Sequence, residues 1–367
     1  MNRPPDGITT ATATPKLRSR KGGAAIPLDE TDKRLMNLLQ SSFPLHPEPF
    51  AEVAAAAGLA RDEVETRTQR LLDERIIREI TPIFDTRALG YSSMLVAAKV
   101  DSENPHRAAK IINSHPGVSH NYLRTHEFNL WFTIATPPDS GLGLEETLRV
   151  LQELTEAESI RQLPTLTLFK INMNLEMEGG THELAAAIEA APPRELERQP
   201  YDDTDVAVIR ALQGPMEVTD RPYDLPAAEA GMSTGDFLAH LAGMVDRKLL
   251  RRVAAILYHR RAGFSANGMG VWRVPDEQIL EVGARMAAVR GISHCYQRPT
   301  YEDWPYSVFT MAHGRSKEEC DAILDGIADT HDLQGDDRAV LYSSTEFKKI
   351  RLHYFTDDYA RWEAEHS

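Results

Sequence analysis

The sequence predicts an α+β protein in which one pair of modules occurs twice along the chain. The octapeptide G-[VI]-S-H-x-Y-x-R occurs at 117–124 and again at 291–298, 174 residues later. An acid-rich helix start at 28–32 is matched in the same way at 201–205. Within each copy, apolar residues first follow a helical period and then form short extended segments. A repeat on this scale indicates two copies of one structural unit.

The composition limits the classes of function. A chain of 367 residues with 42% hydrophobic residues can form more than one core. Its net charge of −14 disfavours nucleic acid and anionic membranes as partners. The two cysteines, Cys295 and Cys320, form no CxxC pair, which indicates a reducing, cytoplasmic location. No apolar run approaches the roughly 20 residues that would span a bilayer, and the polar leader at 1–27 is predicted to be a disordered tail.

The first module, at 28–82, is predicted to be a winged helix-turn-helix. Leu35 and Leu39 lie at helical spacing in the first helix, and Gly58 ends the second. A third helix begins at residue 61, and a short extended piece at 75–82 completes the module. Three helices followed by a wing are typical of this motif.

The second module, at 83–178, is predicted to be ferredoxin-like. The pattern predicts the order βαββαβ, with segments at 93–100, 105–114, 117–124, 129–135, 145–155 and 164–172.

The same order returns after a linker at 179–200 with a helical middle. A second winged helix-turn-helix is predicted at 201–258 and a second ferredoxin-like domain at 259–367. Its strands are expected at 268–274, 294–298, 307–312 and 345–353, and its helices at 277–289 and 317–328. The fold class is therefore a tandem repeat of winged helix plus ferredoxin-like domain.

The repeated octapeptide carries the chemistry. Alternating residues of a strand face one side, so each copy presents a histidine, a tyrosine and an arginine together. The two sets are His120, Tyr122 and Arg124, and His294, Tyr296 and Arg298. An imidazole, an aromatic ring and a guanidinium on one face suit a flat ligand that carries carboxylates. The alternatives are a surface arginine paired with an acid, a histidine bonded to backbone and a core tyrosine.

A winged helix followed by a split βαβ unit resembles the Lrp/AsnC regulators. Within that superfamily, two sets of residues are similar to siroheme decarboxylases: S-H-N-Y-L-R with 126–133 (HEFNLWFT), and S-H-C-Y-Q-R-P with 304–311 (WPYSVFTM). Those enzymes consist of two related subunits. The first half of this chain resembles one subunit type and the second half the other, so the chain resembles both fused in order. The resemblance extends from residue 28 to about residue 359.

The resemblance implies a carboxy-lyase that removes CO2 from the C12 and C18 acetate side chains of siroheme. The product would be 12,18-didecarboxysiroheme, for haem d1 synthesis or the alternative haem pathway. No separate cofactor is expected, because siroheme carries its own iron. The expected partners are siroheme and its products, with the sheets of the two halves pairing around the ligand. A further homodimer is possible, and no membrane partner is expected.

Roles follow for the repeated residues. Loss of CO2 leaves a carbanion that the macrocycle can delocalise and an acid must protonate. We expect His120 and His294 to be those acids or to orient the substrate, although either could instead approach the iron. Arg124 and Arg298 would hold carboxylates. Further substrate contacts are predicted for Tyr122, Tyr296, His126, Trp131, Trp304, Tyr306, Lys170, Lys349 and Arg351.

Several of these residues could instead have purely structural roles. Trp131 lies inside an apolar strand, which favours simple core packing, and the cations of the closing strands are typical of a solvated edge. No His, Cys or Asp cluster shows metal-ligand spacing.

The two copies also differ. Cys295 stands where the first copy has Asn121, and Thr300 stands opposite His126. If Thr310 corresponds to Thr133, the second copy has three extra residues before its next strand. We therefore expect two chemically unequal sites.

A DNA-binding regulator is the competing hypothesis, since the winged helix is a DNA-binding device. The stretch 61–80 has five arginines against six acidic residues, and 233–252 is basic only at its end. Neither presents the basic face that phosphate contacts require, so DNA is an unlikely partner. A non-catalytic tetrapyrrole sensor would have the same pocket without turnover.

Overall fold

The computed structural model describes residues 28–171, 198–258, 266–314 and 316–366. The predicted tail at 1–27 and all but the last three residues of the predicted linker at 179–200 lie outside these residues. The α+β tandem repeat that the sequence predicts is confirmed.

The first winged helix-turn-helix comprises helices α1 Glu30–Ser41, α2 Pro49–Ala57 and α3 Arg61–Asp73, followed by strand β1 Ile77–Phe84. Asp29 caps α1 through a capping box with Asp32, as expected of an acidic residue at a helix start. Gly58 ends α2 in the left-handed conformation, at φ 65°, where a side chain would be disfavoured.

The first ferredoxin-like unit has one strand more than predicted. Its elements are β2 Ser92–Lys99, α4 Pro105–Ser114, β3 Val118–Arg124, β4 Leu130–Thr136, α5 Gly143–Thr155, β5 Ser159–Leu163 and β6 Thr167–Ile171. The strand predicted at 164–172 is present as β6, with shorter bounds, and β5 was not predicted. Pro164 follows β5, and because proline cannot donate to a ladder the chain breaks into two strands there.

The second half repeats this order. Its elements are α6 Asp203–Leu212, α7 Asp224–Glu229, α8 Thr234–Asp246, β7 Leu250–Leu257, β8 Ala266–Trp272, α9 Ile279–Ala288, β9 Ile292–Gln297, β10 Val308–Gly314, α10 Lys317–His331, β11 Arg338–Lys349 and α11 Asp358–His366. The closing strand predicted at 345–353 in fact begins seven residues earlier and ends at Lys349. Helix α11 was not predicted; its Trp362 packs into the core of the first half.

Strands that cross from each half to the other join the two halves. All strands except β1 and β7 form one sheet in the order β5-β2-β4-β3-β11-β8-β10-β9-β6. The start of β11 pairs with β8 of its own half, and its end pairs with β3 of the first half. In return, β6 of the first half pairs with β9 of the second. Each octapeptide strand is therefore hydrogen-bonded to a strand of the other half.

The two predicted wings pair with each other. Strands β1 and β7 form an antiparallel two-stranded sheet, and both winged helices contribute to one hydrophobic core. A separate core lies between the two halves of the large sheet, with side chains such as Trp131 and Leu163 from one half and Met269 and Phe309 from the other. None of the helices in the described residues is long and apolar enough to cross a membrane.

Candidate functional site

The octapeptide strands present their histidine, tyrosine and arginine as two matched groups, which we call site 1 (His120, Tyr122, Arg124) and site 2 (His294, Tyr296, Arg298). In site 1 the His120 and Tyr122 rings are 6.2 Å apart, and the Arg124 guanidinium carbon lies 5.9 Å from the Tyr122 ring. The corresponding distances in site 2 are 6.0 and 4.9 Å. Strand alternation thus brings together the side chains of each copy.

Each strand also contains a β-bulge next to its histidine. The register of β3 against β4 shifts between Val118 and His120, and that of β9 against β10 shifts across Ser293. A bulge turns two successive side chains toward one side of the sheet. The serine before each histidine consequently reaches the ring, with Oγ to Nδ1 distances of 3.0 Å for Ser119 and 2.7 Å for Ser293.

The intervening residues face the helices. The Asn121 amide donates to Asn113 Oδ1 of α4 at 3.0 Å, and the Cys295 thiol lies 3.5 Å from the Gly283 carbonyl of α9. Burial raises the pKa of Cys295, so the thiol is inert. The difference between Asn121 and Cys295 therefore lies on the face of the sheet opposite to the two sites.

Both arginines are buried cations with incomplete hydrogen bonding. Arg124 Nη1 donates to the Leu341 carbonyl at 3.1 Å, and Arg298 Nη1 donates to the Leu163 carbonyl. Each arginine thus bonds to a strand of the other half, β11 for Arg124 and β5 for Arg298. Both Nε atoms are buried and have no partner, and no carboxylate among the described residues forms an ion pair with either arginine. Burial lowers the pKa of each guanidinium to about 10.

An uncompensated buried charge is costly, so these arginines are best explained by an anion that arrives from outside. Each guanidinium also lies over an aromatic ring, Arg124 over Trp131 at 5.8 Å and Arg298 over Phe309 at 5.4 Å. The rings stabilise the cations without neutralising them. Two such groups in one molecule fit a ligand with several carboxylates.

His120 is neutral at neutral pH. Burial, together with the positive charges of Lys349 and Arg78, lowers its pKa to about 4. Lys349 faces His120 across the β11–β3 ladder. Arg78 comes from β1 of the winged helix and donates to the Lys349 carbonyl at 3.2 Å.

The remaining predicted cations lie elsewhere. Lys170 pairs with Cys295 rather than with a residue of site 2, and burial lowers its pKa. Arg351 donates to the Thr81 hydroxyl and the Pro82 carbonyl, so it ties the segment after β11 to β1. In this conformation the Arg351 guanidinium has a structural role and is not part of either site.

The predicted aromatic contacts form a cluster in the core between the halves. Trp304 is fully buried, and its ring lies 5.2 Å from Trp131, 5.2 Å from His126 and 5.0 Å from Tyr306. The Trp131 indole donates to the Phe128 carbonyl at 2.7 Å. Both tryptophans are core residues here, and stacking on a macrocycle remains a prediction.

Sequence reasoning missed several polar groups around the sites. Ser119 and Ser293 belong to the repeated octapeptide, so the repeat itself was a signal. The sequence pattern assigns Thr133 no role, yet its hydroxyl lies 2.8 Å from Ser119 Oγ. Arg78 lies in the wing and Arg87 in the turn after it, where its charge acts on Tyr296 and Arg298. Nothing local in the sequence links either of them to a site.

The winged helices do not offer a free basic face in the described residues. On α3, Arg67 and Arg70 both bond to the buried Asp32 at 2.9 and 2.6 Å. In the second copy, Arg247 bonds in the same way to Asp205 at 2.6 Å. These arginines hold the helices together, which argues against the regulator hypothesis.

Comparisons with known proteins agree with this geometry. An AsnC-like ligand binding domain model matches residues 88–170 and 261–348, and a siroheme decarboxylase NirDL-like HTH domain model matches residues 32–78. A siroheme decarboxylase of Hydrogenobacter thermophilus is 38% identical over 91% of this chain and 97% of its own length. A siroheme decarboxylase beta subunit of Methanosarcina barkeri is 39% identical over 41% of this chain and 99% of its own length.

A solved structure shows the same architecture. The crystal structure of the siroheme decarboxylase NirDL, in complex with an iron-uroporphyrin III analogue, matches with a TM-score of 0.73 and 32% identity. The match covers 92% of this chain and 98% of that one.

Proposed function

Because the chain belongs to the siroheme decarboxylase family, we propose that it removes CO2 from acetate side chains of siroheme. The observation that carries the proposal is the pair of buried arginines without a carboxylate partner, each on one face with a histidine and a tyrosine. Siroheme has a flat ring and eight carboxylates, so it supplies the charge that Arg124 and Arg298 lack. We place the reaction in the cytoplasm, where the buried free thiols Cys295 and Cys320 would stay reduced.

Substrate binding is the role proposed for the arginines. The guanidinium fork matches a carboxylate, and both Nε–H groups are available for that bond. Tyr122 and Tyr296 lie between arginine and histidine in their sites, where a hydroxyl can contact the same acidic side chain. Lys349, beside His120, can meet a further carboxylate.

The chemical step needs an electron sink and a proton. When the acetate loses CO2, the electron pair of the broken C–C bond remains on the methylene carbon, and the conjugated ring of the substrate can delocalise it. We propose that His120 and His294 deliver the proton that converts this carbon to a methyl group. Carboxylates entering site 1 would oppose the positive charges that hold the pKa of His120 low, so substrate binding favours the protonated ring.

We propose the C12 and C18 acetates as the reacting groups and 12,18-didecarboxysiroheme as the product, which serves haem d1 or haem synthesis. The iron belongs to the substrate, and no step requires a separate cofactor.

Anaerobic incubation of the purified chain with siroheme, followed by mass spectrometry, tests the proposal. Products lighter by one and by two CO2 are expected. Tight binding without loss of mass would identify a sensor instead, and sequence-specific DNA binding without turnover would identify a regulator.

Variants at the two histidines test the assigned acids. His120→Ala and His294→Ala should each slow the loss of CO2, with His106→Ala, at an exposed position on α4, as the matched control. Wild-type rates in both site variants would show that the proton comes from another group.

A further inference from the structure

The twin histidines differ in the atoms that surround their serines. In site 1, Ser119 Oγ lies 3.0 Å from His120 Nδ1 and 2.8 Å from the hydroxyl of Thr133, which in turn is 3.4 Å from Nδ1. In site 2, Met311 pairs with His294 where Thr133 pairs with His120. Ser293 Oγ lies 2.7 Å from His294 Nδ1 and donates to the Met311 carbonyl at 3.3 Å.

Each hydroxyl has one hydrogen, which limits how these bonds can be arranged. In site 1, two hydroxyl hydrogens must be placed among Ser119, Thr133 and the ring. Two orders use both within this group: Thr133 donates to Ser119 and Ser119 to Nδ1, or Ser119 donates to Thr133 and Thr133 to Nδ1. In either order His120 Nδ1 accepts, so the proton of the neutral ring lies on Nε2.

In site 2 the single hydroxyl hydrogen has a different destination. A carbonyl oxygen can only accept, so Ser293 donates its hydrogen to Met311. Both contacts of Ser293 are hydrogen bonds at once only if the ring donates from Nδ1 to Ser293. The neutral His294 ring consequently has no proton on Nε2.

We infer that the two histidines hold opposite tautomers, His120 with its proton on Nε2 and His294 with its proton on Nδ1, and that Ser119 with Thr133 and Ser293 with the Met311 carbonyl are the groups that position them. The bond made by one ring nitrogen generally fixes the state of the other. Burial and the neighbouring Lys349 and Arg78 keep the pKa of His120 low, so its neutral tautomer is the relevant one near pH 7.

Opposite tautomers give the two sites different chemistry toward an acidic side chain. This consequence rests on the proposed function. Neutral His120 offers an N–H group from Nε2, which binds a carboxylate directly. His294 offers an acceptor there and must be protonated before it can donate. The first site can therefore anchor an ionised acetate through its neutral imidazole, and the second cannot.

Nuclear magnetic resonance of the full chain labelled with 15N-histidine tests the inference near pH 7. Long-range nitrogen–proton correlations distinguish a protonated from a bare ring nitrogen, and the signals lost in His120→Asn and His294→Asn provide the assignment. We expect a bare Nδ1 for His120 and a bare Nε2 for His294. The same tautomer at both rings would overturn the inference.

A pair of serine variants shows which groups impose the tautomers. An isolated neutral imidazole prefers its proton on Nε2, so Ser293→Ala should move the His294 proton to Nε2. Ser119→Ala, the matched variant, should leave the His120 proton where it is. A His294 ring that keeps its Nδ1 proton in Ser293→Ala would show that the serine does not position it. The measurement uses no siroheme, so it can fail or succeed independently of the decarboxylase proposal.

Discussion

The two halves differ most in the loop that follows each octapeptide. In the first half, the Arg124 amide bonds to the Asn129 carbonyl across four residues, whereas in the second the Arg298 amide bonds to the Ser307 carbonyl across eight. Asn129 and Ser307 are equivalent, since each side chain bonds to the backbone at the end of the first strand of its unit, at Val100 and Val274.

The longer loop of the second half reaches across to the first. Asp303 forms an ion pair with Arg161 of β5 at 2.7 Å, and the Tyr301 hydroxyl donates to the Gln162 carbonyl at 2.6 Å. Trp304 of the same loop fills the core between the halves. We call this loop, residues 299–306, the wedge. It is four residues longer than the corresponding loop of the first half and contacts that half, so the two halves are not equivalent.

Substituting the two arginines tests whether the two sites are equivalent, and here we expect the largest effect, a loss of siroheme affinity. Arg124→Met and Arg298→Met should each weaken siroheme binding by about 100-fold, because a charge-assisted bond to a carboxylate contributes up to about 3 kcal/mol. The free energy of unfolding should not fall, since each variant removes a buried charge that lacks a carboxylate partner. Titration with siroheme and urea unfolding measure the two quantities.

Arg149→Met, at an exposed position on α5, is the control and should change neither quantity. An equal loss in both site variants would indicate equivalent sites, and a loss in only one would assign binding to one half. Normal affinity in both would contradict the role of these arginines.

The wedge of the second half should also contribute to the stability of the fold. Trp304→Ala should lower the free energy of unfolding by about 3–5 kcal/mol, as expected when a fully buried large aromatic is truncated. Leu225→Ala, at a side chain that is 63% exposed, should have little effect in the same urea titration. A small loss for Trp304 would mean that the halves hold together without the wedge.

Acid sensitivity should come from the first half. Buried His115, whose pKa burial lowers to about 3, has Val289 as its counterpart before the second octapeptide. The unfolded chain binds this proton below about pH 6.5 and the folded chain does not, so stability is lost as the pH falls from there toward 3, by up to about 1.4 kcal/mol per pH unit. His115→Val should flatten this slope in unfolding measured between pH 7 and 4. The exposed His106→Val serves as control, and an unchanged slope in His115→Val would refute the assignment.

The ion pair of the wedge should have the smallest effect. Asp303→Asn removes a partly exposed pair with Arg161, and such pairs contribute about 0.5 kcal/mol. Unfolding at low and high salt measures the difference, which should shrink as salt screens the charges. A loss as large as that of Trp304→Ala would mean that the pair, and not the indole, anchors the loop.

Much of this architecture could be predicted from the repeat itself. A period of two in β3 places His120, Tyr122 and Arg124 on one face whatever the sheet around them, so local pattern was sufficient. The same reasoning failed for Thr310, which was matched with Thr133. Its hydroxyl accepts a hydrogen bond from the Trp272 indole N–H on the helix side of the sheet, and Met311 is the true counterpart. The register depends on the loop length and the bulge, which no single strand encodes.

The crossing of β6 and β11 between the halves could not be predicted from the sequence either. A strand has the same alternating sequence pattern whether it pairs with its own half or with the other. The period of two determines which side chains share a face of the sheet, but it does not determine which strand lies next to it. For the same reason Arg78 could not be placed beside His120. That proximity depends on how the paired wings sit against β3, which only the assembled molecule shows.

Because β6 and β11 each cross to the opposite half, neither octapeptide strand has a complete set of neighbours until both halves are present. In a two-subunit enzyme, that condition would make assembly depend on the concentration and ratio of two gene products. A single continuous chain supplies its complement at the high effective concentration of a tether and always in a one-to-one ratio. The covalent link thus makes completion of both sites a folding event rather than an encounter between molecules.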